Sequence, residues 1–295
     1  MKVKKHSEIN ISFAGQGELL YSTIFQFIAS DYFNVKGVFD MSGNKNTVSE
    51  GLTYVDDLNE LIKLNADVCF LVEYSKIVDE KYLKKNRFIN SHGGLLPQYR
   101  GFHGNIWAMI NSEKYIGYTI HRVTPSFDAG PIIYQKKVST QNAKTYHELK
   151  NIYMNHWKKN IVEIVKNYVD SGYQEKKQDE KKALYVGKRN IDDCMIDWHQ
   201  ESETIHNMVK ALAPPFTDGA FTFYKEKKLF ILKSSLVESK KYIETPGKIL
   251  NNTKTNGIFV KTGDTILNIL EISFDGIKYK SQDFFRTVGV RLGIN

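Results

Sequence analysis

Hydrophobic and polar positions in the first 90 residues follow two alternating patterns. Segments typical of strands occur at 9–14, 35–39, 68–72 and 87–90, of which 68–72 is wholly apolar. Between them lie stretches with the spacing of amphipathic helices, at 18–30, 58–64 and 79–85. Strands that alternate with helices along a chain form parallel sheets covered by helices on both faces. The first part of the chain therefore predicts a Rossmann-like α/β domain built on a parallel sheet.

The pattern changes after a polar stretch in the middle of the chain. A long helix is predicted at 143–169, and residues rich in Glu, Lys and Gln follow Ser171-Gly172 as far as Lys182. We place a domain boundary there, which gives an N-terminal domain at 1–183 and a C-terminal domain at 184–295. The second domain has one predicted helix, at 203–212. Five strand-sized runs follow, at 220–224, 229–233, 247–250, 257–261 and 265–272. Short strands separated by turn residues predict a small β-barrel.

Composition and cysteine usage narrow the class of protein. Hydrophobic residues make up 41% of the chain, which is enough for a buried core. The apolar runs are too short to span a membrane and no signal-peptide core follows the basic N-terminus, so we expect a cytoplasmic protein without a membrane span. Cys69 and Cys194 give neither a disulfide framework nor a metal-ligand spacing, and no HxxxH or HExxH motif occurs. We therefore expect no metal site, and Cys69 within its apolar run is predicted to be a small buried hydrophobic residue.

The net charge of +8 raises the question of nucleic-acid binding. Lysines cluster at 2–5, 81–85, 176–182 and 225–228, and the last two clusters are interleaved with glutamate. Aromatic residues do not alternate with these lysines as a base-stacking surface would require. The charge pattern therefore favours solubility and the attraction of small phosphorylated substrates over a nucleic-acid-binding face.

Gly15 and Gly17, at a predicted strand-to-helix turn, form half of a dinucleotide-binding fingerprint. Leu20 stands where the third glycine of that fingerprint would be, and Asp40 follows the second strand. Because the missing glycine is the one that permits close packing of the helix, a tight turn explains these residues better than a bound NAD.

Polar residues that can carry out chemistry follow the fourth predicted strand. Asn90 and His92 stand at its end, where ligands bind in open parallel sheets, and the pair offers an amide donor beside a proton acceptor. Asp128 lies in a turn-forming segment between two further predicted strands, 117–123 and 132–138. Such a set suits acyl-type transfer, in which the amide stabilises an oxyanion and the imidazole handles a proton. Each residue alone also has an ordinary structural explanation: Asn90 as a turn residue, His92 as a hydrogen-bonded histidine, and Asp128 as a turn cap.

Taken together, the motifs from residue 90 to residue 132 resemble the folate-dependent formyltransferases. They are Asn90-x-His92-x-x-Leu-Leu-Pro-x-Tyr-Arg-Gly101, Trp107-Ala108, Gly117-Tyr-Thr-Ile-His121 and Asp128-x-Gly-Pro-Ile, with Asp128 thirty-six residues after His92 (128 − 92). Segments 196–198, 206–216, 219–221, 246–249 and 288–293 resemble the C-terminal OB-like domain of the same family. The resemblance therefore implies a Rossmann-like parallel-sheet domain followed by a small OB-like β-barrel domain.

The resemblance also implies roles for individual residues. His92 would act as base or proton relay for the attacking amine, Asn90 would hold the formyl oxygen, and Asp128 would orient His92 and help to remove the proton. The donor in this family is N10-formyltetrahydrofolate. The resemblance places its folate along two segments: Gly94, Leu95, Leu96 and Pro97, and Tyr74, Ser75, Lys76 and Ile77. The stretch that begins at Glu73 departs from the more apolar family pattern.

The acceptor amine is predicted from differences within the family. The tRNA-specific members carry a basic, extended loop after the second strand, whereas Lys45 is the one basic residue at 41–51. The residues after Arg100-Gly101 resemble the sugar enzymes, which formylate a nucleotide-linked 4-amino-4,6-dideoxy sugar for surface polysaccharide. The predicted substrate-binding residues are Arg100, His103, Asn105, Trp107 and Arg189. Arg189 resembles a phosphate-contacting position, and a surface arginine explains it equally well.

Three alternatives stay open at this point. The chain resembles methionyl-tRNA formyltransferase as well as the sugar enzymes, and a formyltetrahydrofolate hydrolase would use water in place of the amine. A non-catalytic OB-like binding protein would use the basic surface and would not need Asn90, His92 and Asp128. The expected partners are a nucleotide sugar and folate, with no membrane and no nucleic acid, and the resemblance leaves room for a homodimer through the C-terminal domain.

Overall fold

A computed structural model describes residues 9–43, 52–253 and 255–293. Its backbone separates into two compact units. The first comprises Met1–Gly104, Gly117–Lys137 and Ile152–Val186, and the second comprises Asn105–Ile116, Val138–Asn151 and Gly187–Asn295. The domain boundary after residue 183 stays a prediction. The predicted loop at 41–51 lies outside the described residues from position 44 onward.

A six-stranded sheet forms the centre of the first unit, with the strand order β2-β1-β3-β4-β6-β7. Its strands are β1 (Ile9–Gly15), β2 (Phe33–Asp40), β3 (Val68–Val72), β4 (Arg87–His92), β6 (Tyr115–Arg122) and β7 (Ile132–Ser139). The helices along the same stretch of chain are α1 (Gly17–Ile28), α2 (Leu58–Lys63), α3 (Glu80–Leu83), α4 (Gly104–Ile110) and α5 (Tyr146–Asp170). Two short strands, β5 (Arg100–Gly101) and β8 (Tyr185–Val186), pair in parallel outside the main sheet.

The predicted parallel sheet is confirmed for the four strands β2, β1, β3 and β4. The next strand, β6, runs antiparallel to β4, which the sequence pattern did not indicate. The connection at 93–114 begins and ends on the side of the sheet where the carboxyl end of β4 lies, so β6 enters the sheet from that side and runs in the opposite direction. A parallel strand would need a crossover that returns the chain to the other edge.

The central strand β3 is buried on both faces, which explains its uninterrupted apolar sequence. On one face Phe70 packs against the aromatic rings of Phe13 and of Trp157 from α5. On the other face Cys69 and Leu71 join the cluster formed with α2. Burial raises the pKa of the Cys69 thiol to about 12, in agreement with its predicted role as a small hydrophobic residue.

The turn between β1 and α1 contains Gly15 and Gly17, and the residue at the third fingerprint position, Leu20, is fully buried in α1. Asp40, at the end of β2, accepts hydrogen bonds from the hydroxyls of Tyr21 and Ser42. The carboxylate that would bind a ribose in a dinucleotide site is thus bonded within the protein here.

The second unit contains an antiparallel sheet in the order β11-β12-β13-β10-β9, with β14 paired to β13. Its strands are β9 (Ala220–Tyr224), β10 (Lys227–Leu236), β11 (Ile249–Asn252), β12 (Ile258–Lys261), β13 (Ile266–Phe274) and β14 (Ile277–Lys280). The helices are α6 (Ser202–Leu212) and α7 (Ser281–Phe284), and a 3₁₀ turn occurs at Asp192–Cys194, whereas the 3₁₀ turn Glu180–Lys182 belongs to the first unit. The five predicted strands are present, and the sixth, β14, was missed because it is short and contains two lysines. The α/β fold class with two different sheets is confirmed, and closure of the second sheet into an OB-like barrel stays a prediction.

We expect the substitution Thr23→Val to destabilise the first unit. The Thr23 hydroxyl is fully buried and accepts a hydrogen bond of 3.0 Å from Trp157 Nε1. The substitution leaves the indole N–H buried without a partner, which costs about 1–3 kcal/mol. Urea unfolding of Thr23→Val and of the wild type measures the difference in the free energy of unfolding. An unchanged urea midpoint would contradict a stabilising, buried hydrogen bond between Thr23 and Trp157.

Candidate active site

The pleat and register of β4 and β6 bring together the first polar groups of the site. Asn90 and His92 are two residues apart on β4, so their side chains leave the same face of the sheet. The antiparallel register places His121 of β6 opposite Asn90, and Thr119 opposite His92. Residues directly opposite one another in such a pair share a face. Four polar side chains therefore converge where β4 ends.

Asp128, in the loop between β6 and β7, completes this cluster. Its carboxylate is 6% exposed and lies 3.3 Å from His92 Nδ1 and 3.2 Å from His121 Nε2. The same carboxylate accepts a hydrogen bond of 2.9 Å from the backbone N–H of Gly101. Asp128 has a φ of +51°, a left-handed conformation in which aspartate is tolerated and which often marks functional loops. The predicted set of Asn90, His92 and Asp128 is thus close together in space.

The charge of Asp128 follows from these contacts. Burial alone would raise the pKa of its carboxyl, but the hydrogen bonds from His121 and His92 outweigh burial and hold the pKa well below its usual range. Asp128 is therefore a carboxylate at neutral pH. A buried carboxylate with two imidazole neighbours provides a strong local negative potential and a route for a proton.

His92 is fixed by tight packing on one side and by Asp128 on the other. Its Nε2 donates a hydrogen bond of 2.9 Å to the carbonyl oxygen of Tyr99. A Cβ at Gly94 would lie 2.7 Å from this nitrogen, and one at Gly104 would lie 3.3 Å from it. Both positions must lack a side chain for the ring to fit. The Tyr99 carbonyl at one ring nitrogen and the Asp128 carboxylate at the other fix the orientation of the ring.

His121 contacts both Asp128 and Asn90, and we gave it no role although it ends the motif Gly117-Tyr-Thr-Ile-His121. Its Nδ1 donates a hydrogen bond of 2.9 Å to the backbone carbonyl of Arg122, while Nε2 faces Asp128 and Asn90. The signal that could have identified it is the strand register. The side chain opposite Asn90 on an antiparallel neighbour shares its face, but the sequence pattern did not reveal that β6 runs antiparallel to β4.

The amide nitrogen of Asn90 has hydrogen-bond partners, whereas its amide oxygen has none in the described part of the chain. Its Nδ2 lies 3.2 Å from His121 Nε2 and 3.5 Å from Asp128 Oδ1. Its Oδ1 is buried without a hydrogen-bond partner in the described part of the chain. Buried polar atoms are normally bonded, so an unpaired amide atom here indicates where a polar group of a ligand would bind.

A narrow cavity with an empty volume of about 370 Å³, its open mouth included, lies beside the polar cluster. Its lining combines the loop after β3, the loop after β6 and the polar cluster: Tyr74, Lys76, Ile77, residues 123–127, Asn90, His121 and Asp128. Three of the four predicted folate-binding residues after β3 therefore line it, and Ser75 does not. The apolar part of the loop after β6 was not predicted to take part. A mostly apolar cleft with a few polar groups at one end is typical of small-molecule sites.

The other predicted folate segment, Gly94 to Pro97, is held against β6 and β7. The Thr119 hydroxyl donates to Gly94 O at 2.7 Å and accepts from Leu96 N at 3.2 Å. Gln135 Nε2 donates to Leu96 O at 2.7 Å. This segment does not line the cavity described above, and its contact with folate stays a prediction.

The predicted substrate-binding residues are divided between the two units. Arg100 and His103 belong to the first unit, and Asn105, Trp107 and Arg189 belong to the second. The guanidinium of Arg100 is 1% exposed and donates to the side chains of Gln178, Glu180 and Tyr185. Trp107 Nε1 donates to Gly187 O at 3.1 Å. Contacts of these residues with a substrate stay predictions.

A larger cavity, with an empty volume of about 1190 Å³ when its open mouth is likewise included, lies within the second unit, between α6, the antiparallel sheet and residues 143–148. None of the predicted site residues lines it. The predicted chemistry is therefore associated with the smaller cavity of the first unit.

No helix in the described part of the chain is long and apolar enough to cross a membrane. Within residues 9–43, 52–253 and 255–293, no group of three or more His, Cys, Asp or Glu side chains is arranged to hold a metal ion.

Comparison with known proteins gives the family of this chain. A family model described as formyl transferase matches residues 35–165, and one described as formyl transferase, C-terminal domain, matches residues 190–289. Methionyl-tRNA formyltransferase of Clostridium novyi (strain NT) is 30% identical over 223 residues, which cover 75% of this chain and 71% of that protein.

Two further similarities come from a longer protein and from a solved structure. The bifunctional polymyxin resistance protein ArnA of Wigglesworthia glossinidia brevipalpis is 36% identical over 200 residues, 66% of this chain but 30% of that protein. The crystal structure of WlaRD, a sugar 3N-formyl transferase, in the presence of dTDP and 5-N-formyl-THF matches with a TM-score of 0.65 and 21% identity. That match covers 89% of this chain and 97% of WlaRD. Together with the site geometry, these matches show that the chain belongs to the folate-dependent formyl transferase family.

Proposed function

We propose that this enzyme transfers the formyl group of N10-formyltetrahydrofolate to the amine of a nucleotide-linked 4-amino-4,6-dideoxy sugar. The product would enter the synthesis of a surface polysaccharide such as lipopolysaccharide O-antigen or capsule. The observation that carries the proposal is the Asp128 carboxylate, held between His92 and His121 beside Asn90 at the end of a cavity. The reaction takes place in the cytoplasm, and the C-terminal domain supplies a homodimer contact.

The donor binds with its flat pterin between the two loops of the cavity in the first unit. Tyr74 and Ile77 supply one wall and residues 123–127 the other, and both offer apolar surface. With the pterin there, the N10-linked formyl group lies next to the polar cluster. The segment Gly94 to Pro97 supports the same ligand through its backbone.

Formyl transfer is an attack by an amine on a carbonyl carbon. The nitrogen lone pair of the acceptor forms the new C–N bond, and the carbonyl electrons move to oxygen, which becomes an oxyanion. When the oxyanion collapses, the bond from carbon to N10 breaks and N10 takes up a proton to give tetrahydrofolate. The proton lost by the amine passes to the Asp128–His92 pair, which is placed to receive it.

Asn90 stabilises the oxyanion through one of its amide N–H groups. In the ligand-free structure its unpaired buried atom is Oδ1, and rotation about the Cβ–Cγ bond exchanges that atom with Nδ2. The amide can therefore accept from an incoming amine in one orientation and donate to the formyl oxygen in the other.

Two features support a sugar acceptor. The loop at 41–51 has Lys45 as its one basic residue, unlike the basic loop of the tRNA-specific members, and WlaRD, a sugar 3N-formyl transferase, is similar to this chain. The second candidate is methionyl-tRNA formyltransferase, which the identity to the Clostridium novyi enzyme favours. A hydrolase is less well supported, because it would need no second unit for an acceptor.

The substitution Asn90→Asp separates the oxyanion role from a merely polar role. It keeps the acceptor oxygen and puts a second oxygen in place of the NH₂ group, which removes both amide N–H donors and adds a negative charge that repels an oxyanion. We expect kcat to fall by roughly 100- to 1000-fold in steady-state assays, as for the loss of an oxyanion-hole donor.

Ser91→Ala is the matched control for Asn90→Asp. Ser91 is the next residue of β4, and its hydroxyl points to the other face, toward Leu71 O at 3.4 Å. We expect Ser91→Ala to keep the wild-type rate. An Asn90→Asp rate within about threefold of the wild type would rule out the oxyanion role.

The acceptor is identified by offering several amines to the purified enzyme with N10-formyltetrahydrofolate. We expect mass spectrometry to find a formyl group on a dTDP- or UDP-linked 4-amino-4,6-dideoxy sugar and none on methionyl-tRNA. Omission of the donor is the control for each acceptor. Formylation of methionyl-tRNA with no modified sugar would replace the sugar proposal by the second candidate.

A further inference from the structure

Gln178 lies outside every motif that indicated the function, in the polar stretch after α5, yet its side chain is 95% buried, with a relative exposure of 5%. Its Nε2 donates two hydrogen bonds, to Asp128 O at 2.8 Å and to Gly130 O at 2.6 Å. Its Oε1 accepts two, from Arg100 Nε at 3.2 Å and from Arg100 Nη2 at 2.8 Å. Both N–H groups of the amide and both acceptor positions of its oxygen are therefore occupied. They link the Arg100 side chain to the backbone of the Asp128 loop.

Arg100 holds the Gln178 side chain in a fixed position. Its guanidinium is 1% exposed, and its remaining donors bind Glu180 at 2.7 and 3.0 Å and Tyr185 Oη at 3.0 Å. The short parallel pairing of β5 with β8 aligns Arg100 with Tyr185. Every N–H group of the guanidinium thus has a partner, which holds Arg100 in one position.

The Asp128 loop needs such support because of its own conformation. Asp128 has a positive φ, and its carboxylate must reach His92, His121 and the Gly101 N–H at once. Those contacts hold the side chain, whereas Gln178 holds the main-chain carbonyls on both sides of Ala129. A shift of the loop by about 1 Å would separate the carboxylate from its partners and can cost on the order of 100-fold in rate.

We propose that Gln178 is a positioning residue for Asp128, and that Arg100 acts through Gln178 in the same role. This inference rests on the proposed function, since it assigns Asp128 to the reaction. Gln178 touches neither the cavity nor the reacting groups directly. We therefore expect its effect on the rate to be transmitted through the Asp128 loop.

Two substitutions of Gln178 test the two sides of its amide. Gln178→Met has a similar length and loses all four hydrogen bonds. Gln178→Glu keeps acceptor oxygens for Arg100 but turns an oxygen toward the two loop carbonyls. We expect both variants to lower kcat by roughly 10- to 100-fold with a smaller change in KM for the donor, because the folate contacts remain. A wild-type kcat in Gln178→Glu would overturn the proposal.

Thr23→Val is the matched control for a general loss of stability. It also removes a buried hydrogen bond from the first unit, but between α1 and α5 and away from the polar cluster. We expect it to lower the unfolding midpoint while kcat stays at the wild-type value. If Thr23→Val lowers kcat as much as the Gln178 variants do, the effect is one of stability and the proposal fails.

A double-mutant cycle tests whether Gln178 acts through Asp128. In the Asp128→Asn background, single-turnover rates should fall by less than about threefold when Gln178→Met is added, because the positioned group is already disabled. The same 10- to 100-fold loss in both backgrounds would show an independent role and contradict the proposal.

Hydrogen exchange measured by mass spectrometry distinguishes failure of this inference from failure of the proposed function. We expect faster exchange in peptides that cover residues 124–131 in Gln178→Met than in Thr23→Val. If no acceptor is formylated by the wild type, the proposed function fails, and this difference in exchange still tests whether Gln178 holds the loop. Equal exchange in the two variants would overturn the positioning role whatever the acceptor is.

Discussion

The Asp128 carboxylate, buried between two imidazole rings, is the interaction on which the rest of the site depends. An isolated buried carboxylate would take up a proton, but contacts with His121 and His92 keep it charged. Its charge in turn fixes the orientation of His92, whose other nitrogen is bonded to a backbone carbonyl. If the carboxylate were displaced, both imidazole rings would lose Asp128 as a partner and keep their backbone carbonyls.

Three separate parts of the chain keep this carboxylate in place. The register between β4 and β6 aligns Asn90 with His121, so one face of the sheet supplies two of its neighbours. The loop after β6 brings in Asp128 itself, in a left-handed conformation that few residues adopt. Gln178 and Arg100 support the main chain of that loop from the other side. Polar groups buried in this way determine a single arrangement because each unpaired alternative is costly.

Much of the fold was predictable from the hydrophobic pattern, since buried strands such as β3 have continuous apolar sequences. The direction of β6 was not predictable in this way, because periodicity within a strand carries no information about its neighbour. Asn90, His92 and Asp128 were found through short motifs whose order resembles a family. His121 stood in one of these motifs without a role and Gln178 in none, because their roles come from contacts across 31 residues (Asn90 to His121) and 50 residues (Asp128 to Gln178) of chain. Such pairs become visible only when the sheet and its loops are placed in space.

The central claim is that formyl transfer to an amine depends on the charged carboxylate of Asp128, and an isotope-transfer measurement tests it most directly. N10-formyltetrahydrofolate labelled with ¹³C in the formyl group is mixed with the amino-sugar nucleotide and either the wild type or Asp128→Asn, which keeps the size of the side chain. NMR follows the label in a single turnover, and folate binding is checked in parallel. The account predicts that the label moves to the sugar amine with the wild type, and that with folate-bound Asp128→Asn it moves orders of magnitude more slowly. Transfer at the wild-type rate by Asp128→Asn would contradict it.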